Sequence, residues 1–126
     1  MKPLRTLIAV AAVAVVFVAA WAVFRPQVPT IDPLTADELS AAADQWCEKL
    51  PNRTVPSDQW STAVRQLCPQ AVRVTADGVY IERGSRFVES WGVFILRSRS
   101  ALRPSTDTDP SYHQLRGRVY WYEVKG

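Results

Sequence analysis

The apolar positions of this chain fall into three regimes. From Leu7 to Phe24 there is no rhythm: LIAVAAVAVVFVAAWAVF is eighteen residues without a charge or a strongly polar group. At about 1.5 Å of rise per residue, such a run approaches the roughly 30 Å of a bilayer's hydrocarbon core. It predicts a transmembrane signal-anchor helix over 7–24. Residues 25–34, RPQVPTIDPL, hold three prolines and predict a stiff, extended spacer.

The rhythm then becomes helical. Thr35 and Glu38 fit a capping box, and Leu39, Ala42, Ala43, Trp46, Cys47 and Leu50 recur at spacings of three and four. The pattern predicts an amphipathic helix over 36–50, stopped by Pro51. Ser57 is placed to cap a second helix, with Trp60, Ala63, Val64, Leu67 and Cys68 as its stripe and Pro69 as its end. The short connection predicts an antiparallel helical pair.

After Pro69 the period falls to two. Val72 and Val74 flank Arg73, and Ala76-Asp77-Gly78 reads as a turn. Val79 and Ile81 then alternate with Tyr80 and Glu82, and Arg83-Gly84-Ser85 reads as a second turn. A long strand is expected over 87–97, with a bulge or close backbone approach at Gly92 and a centrally placed run from Val93 to Leu96. Residues 98–114, SRSALRPSTDTDPSYHQ, read as one exposed loop, and LRGRVYWYEV, over 115–124, as a last strand. The fold expected is α+β: an N-terminal transmembrane helix, then a helical pair packed on a three- or four-stranded antiparallel sheet. The organisation expected is a tail over 1–6, the anchor over 7–24, the spacer over 25–34 and one small domain over 35–126.

Charge adds topology. Lys2 and Arg5 precede the apolar run, while Asp32, Asp37 and Glu38 come after Arg25, so the tail is expected in the cytoplasm and the body outside. The compartment expected is a bacterial inner membrane with the body facing the periplasm. Ala20-Trp21-Ala22 offers the competing reading, a signal cleaved near Ala22 and a secreted body. The formal net charge is +3, with fifteen basic and twelve acidic residues. Lys2, Arg5 and Arg25 carry that excess, so the body beyond Pro26 is neutral, which argues against nucleic acid as a partner. Within the body, residues 26–70 are net negative and residues 71–126 net positive.

Two cysteines, Cys47 and Cys68, follow the apolar run. In an exported domain an isolated pair is expected to be a disulfide, worth about 3 kcal/mol for a loop of this length. Two Cys and one His do not make a four-ligand zinc shell, and nothing else calls for a metal or cofactor.

No catalytic cluster stands out. His113, the single histidine, lies in the polar loop, and no serine sits in a Gly-x-Ser-x-Gly elbow. Glu82 and Glu89 flank a turn and would be the carboxylates of a hydrolase reading, but Arg83 and Arg86 lie beside them. Asp107 and Asp109 lack the later Gly and Glu of a calcium loop. The more suggestive set is Arg73, Tyr80, Arg116, Arg118, Tyr120 and Tyr122, on polar positions of the strands, where Arg forks and Tyr rings suit a protein partner or an anionic group. The function expected is a membrane-anchored extracytoplasmic interaction module, an accessory subunit or inhibitor of another envelope protein, with membrane lipid contacted through 7–24. The alternative is small-ligand binding in a cavity lined by Trp46, Trp60 and Trp91, and a further one is the hydrolase.

Overall fold

The computed structural model describes residues 27–126. The anchor expected over 7–24, with its tail and its alternative cleavage point, lies outside them. Among the described residues no helix is long and apolar enough to cross a membrane.

Helix α1 runs over Pro33–Lys49. It starts a turn earlier than the Thr35 capping box implies, because Asp32-Pro33 is the better start signal. The Asp32 carboxylate accepts from Thr35 N at 2.7 Å, and Pro33 occupies the first turn, where a missing N–H is harmless. Those bonds hold the Asp32 carboxyl below its ordinary acidity range. The spacer is consequently shorter than expected: Ile31 is only 5% exposed and belongs to the core. The second helix is a broken one, a 3₁₀ turn over Ser57–Gln59 followed by α2 over Thr62–Gln66, capped by Ser61. Trp60 interrupts it in an extended conformation, its indole donating to Val55 O at 3.1 Å. Arg65 secures the break by donating to the carbonyls of Trp60 and Ser57.

Five strands follow, β1 (Ala71–Val74), β2 (Gly78–Arg86), β3 (Glu89–Leu96), β4 (Ser111–Arg116) and β5 (Val119–Val124). All pair antiparallel in the order β1-β2-β3-β5-β4. The expected turn at Arg83-Gly84-Ser85 is instead a bulge inside β2, between Glu82 and Gly84, and the chain reverses two residues later at Phe87-Val88. Gly92 makes this possible, since a Cβ there would stand 2.0 Å from Ile81 O. The stretch 98–114 is not all loop, because Ser111–Gln114 opens the edge strand β4.

One face of the sheet packs on the helices. Val72, Val79, Ile81, Val93, Ile95 and Val119 are fully buried there against Leu39, Ala43 and Val64. Two ties run from the sheet to the chain ahead of and within α1. Arg118, in the β4–β5 turn beside Gly117 (φ 55°), forks onto both Asp44 oxygens at 2.9 Å, and Arg116 donates to Ile31 O.

The cysteines require a correction. Cys47 is a buried free thiol on α1, raised in pKa mainly by that burial. Cys68 is exposed just past α2, with φ 51° and its Sγ turned to Gln66 O. No disulfide joins them, because the stripe of α1 takes Cys47 into the core while the chain leaving α2 turns Cys68 outward.

Candidate functional site

The outer face of the sheet carries a second, aromatic cluster. The strand period of two sends Tyr80, Phe94, Leu96, Tyr120, Tyr122 and Val124 to the side away from the helices, and β4 adds Tyr112. All four tyrosines of the chain are thus on one face. Tyr80 packs against Phe94 at 4.5 Å and edge-on to Tyr122 at 5.0 Å between ring centroids. Phe94 and Tyr122 are fully buried although no helix covers them.

The cover is the 97–110 connection, which sequence reading leaves as an exposed loop. Leu102 packs on the aromatic cluster. The loop is pinned by Arg97 N to Asp77 O, by Ser100 Oγ to Asp77 Oδ1 and by Tyr112 N to Ser105 O. Its other end is fixed by Lys125 N donating to Asp109 Oδ1 at 2.9 Å. One leucine and a set of backbone bonds thus close a face that hydrophobic counting leaves open.

Beside this cover the face opens into a groove of about 320 Å³. Arg73, Tyr80 and Tyr122 of the sheet form one wall, the Asn52-Arg53-Thr54 segment another, and Pro110 and Val124 close an end. The segment is held there by ladder bonds, Val55 N to Val72 O and Val74 N to Arg53 O, which also cover the outer edge of β1. Arg73 stays half in solvent, 3.6 Å from the Glu82 carboxylate.

The two tyrosine hydroxyls of the groove differ. Tyr80 shares a 2.6 Å hydrogen bond with Tyr112, and burial, then that bond, push its pKa upward. The Tyr122 hydroxyl is buried and makes no hydrogen bond of good geometry, although the Arg73 guanidinium stands near enough to act on it. Burial, with the Glu82 carboxylate adding and the charge and hydrogen-bonding reach of Arg73 opposing, pushes its pKa up to about 12. It is the one buried side-chain polar atom without a partner among the described residues, and it lies at the groove with two arginines.

Of the residues singled out from sequence, Arg73, Tyr80, Tyr120 and Tyr122 share this face. Arg116 and Arg118 do not: the bulge between Gln114 and Arg116 and the tight turn at Gly117 shift them to the helix side, where Ile31 O and Asp44 take them up. Arg53, Asn52 and Tyr112 are missed by sequence reading. No local alternation signals the place of Tyr112, and the loop residues reach the groove through β1's ladder alone.

The other candidates separate. Glu82 pairs with Arg73, whereas Glu89 stands opposite Arg86 at the hairpin end. His113 is exposed on the edge strand, Asp109 holds the Lys125 backbone, and no metal-binding cluster occurs among the described residues. Trp46 is buried against the core, Trp60 holds Val55 O and Trp91 lies over Gly84. These three are packing residues, not the walls of one cavity. Comparison with known protein families, curated protein sequences and solved structures gave no match.

Proposed function

We propose that this protein is a membrane-anchored binding module whose extracytoplasmic domain engages a partner protein through the groove between Arg73, Tyr122 and the Asn52-Arg53-Thr54 segment. The supporting observation is the groove itself, where Arg53 and the half-exposed Arg73 flank the buried Tyr122 hydroxyl. Arg53 and Arg73 beside it favour an acceptor carrying negative charge, such as an acidic side chain on an extended segment of the partner. The apolar run over 7–24 supports the tether, which raises the local concentration of anything confined to the same membrane. The small-ligand alternative loses the cavity it was expected to use, because Trp46 and Trp60 are committed to packing and to Val55.

The test is photocrosslinking in the native membrane, with a photoreactive residue at Thr54 on the groove rim and the intact mass of the chain recorded. The expected result is a defined adduct to one protein, on a chain whose mass retains residues 1–22. Arg73→Glu should reduce the adduct about tenfold, the equivalent of one charge-assisted hydrogen bond. Arg99→Glu, on the 97–110 connection, should leave it unchanged. An adduct indifferent to Arg73→Glu would remove the groove from the function, and a mass beginning near Val23 would remove the tether.

A further inference from the structure

Most of the exposed apolar surface gathers at one end of the domain. Among the described residues four large hydrophobic side chains are exposed: Val28 (53%), Leu34 (76%), Phe87 (97%) and Val88 (72%). Phe87 and Val88 are the two residues of the β2–β3 turn, and Gly126 lies against Val88. Val28 belongs to the same end, because its neighbour Gln27 accepts a hydrogen bond from Arg83 of β2 at 3.0 Å. Arg83 is the extra residue of the β2 bulge, so the bulge that Gly92 permits is also what aims Arg83 at the incoming chain.

Phe87 has no use within the domain. It is almost fully exposed, and its φ of 56° lies in the left-handed region, where the first position of a two-residue hairpin turn favours glycine. A bulky aromatic residue in that place gains its burial elsewhere. The chain outside the described residues indicates where. The apolar run ends at Phe24, three residues before Gln27, a reach of about 10 Å at most. From Arg83 the hairpin extends a further ~13 Å to Phe87. Gln27, Val28 and the hairpin are therefore within reach of the surface from which such a run would emerge, and Arg86 and Lys125, exposed at this end beside the acidic Glu89, suit lipid phosphates.

We infer that the β2–β3 hairpin tip, Phe87-Val88, dips into the headgroup layer of the same membrane and so fixes the orientation of the domain on it. The inference rests on the reading of 7–24 as a membrane anchor. With the tip immersed, the β1–β2 turn at Ala76, at the opposite end of the strands, points away from the bilayer. The domain is then a short upright stalk instead of a body swinging freely on its spacer.

The experiment uses the full chain in vesicles of phosphatidylcholine and phosphatidylglycerol, with Cys68→Ser to leave only the buried Cys47 thiol. An environment-sensitive fluorophore is attached through Ser85→Cys near the tip or Ala76→Cys at the far end, and flotation is measured alongside quenching by lipids carrying a shallow nitroxide. The expected result is flotation of both proteins, with quenching about threefold or more greater at position 85 than at 76. Phe87→Asp should bring position 85 down to the level of 76 without affecting flotation. Flotation with position 85 no more quenched than 76, or quenched regardless of Phe87→Asp, overturns the inference and leaves the anchor standing. Protection of position 85 in native membranes but not in pure lipid overturns it in favour of a protein neighbour. Failure to float overturns the anchor and the inference together.

Discussion

At the scale of single residues, the outer face turns on two tyrosines that the alternation of β5 and β2 places correctly but cannot tell apart. Period two puts Tyr80 and Tyr122 on one side of the sheet, and their side is legible from the sequence. Which hydroxyl is satisfied depends on Tyr112, whose strand is too polar to be recognised. Tyr122→Phe should raise stability by about 1 kcal/mol, since it removes a buried unbonded hydroxyl and keeps the ring. The pH dependence follows from the raised pKa values. Both tyrosines prefer the neutral form when folded, so their contribution is complete below the unfolded value near 10 and declines as pH climbs through about 12 for Tyr122. Urea midpoints between pH 8 and 12 should fall for the parent chain, and less steeply for Tyr122→Phe.

At the scale of elements, some are legible from local pattern and others are not, and the illegible ones share a cause. The stripe of α1 is regular, and Leu39, Ala43, Trp46 and Cys47 are all buried as its period requires. The stripe of the second helix is equally regular, yet Trp60 abandons it for Val55 O, because an indole N–H at a half-buried site needs an acceptor that a helix does not provide. Strand β4 is an edge strand with one clearly apolar residue, Leu115, and local composition gives it no signature. The Arg118 fork is of the same type: a turn residue whose destination is set by a helix 74 positions away in sequence. Asp44→Asn should lower stability by about 1 kcal/mol at neutral pH, after allowance for side chains that remain about one-third exposed. The Arg118 guanidinium holds the Asp44 carboxyl below its ordinary 3.8. Its contribution is therefore present above that value and lost as pH falls through the lower folded one, so parent and variant should converge in denaturant midpoint as the carboxylate is protonated in acid.

For the molecule as a whole, the short strap between the apolar run and α1 decides how the domain is held. Composition presents residues 25–34 as a proline-rich spacer, but over the described residues 27–34 tertiary contacts and the start of α1 override the expected independence. Gln27 and Ile31 each lend a backbone carbonyl to a sheet arginine, and the Ile31 side chain enters the core at 5% exposure. Those contacts lie 56 and 85 positions apart in sequence, beyond the reach of any local pattern. Ile31→Ala should cost about 2–4 kcal/mol by removing buried methylenes that nothing else can replace, lowering the melting temperature by about 10 °C or more. Val28→Ala, at an exposed position of the same strap, should leave the melting temperature unchanged. The comparison separates two roles within four residues. If Ile31 is the rivet joining the strap to the sheet, its loss frees the membrane-proximal chain, and the Ser85 fluorophore should lose its preference over Ala76 at temperatures where the sheet itself is still folded. Equal loss from Val28→Ala would place the strap's hold on the domain in its surface contacts instead of in the core.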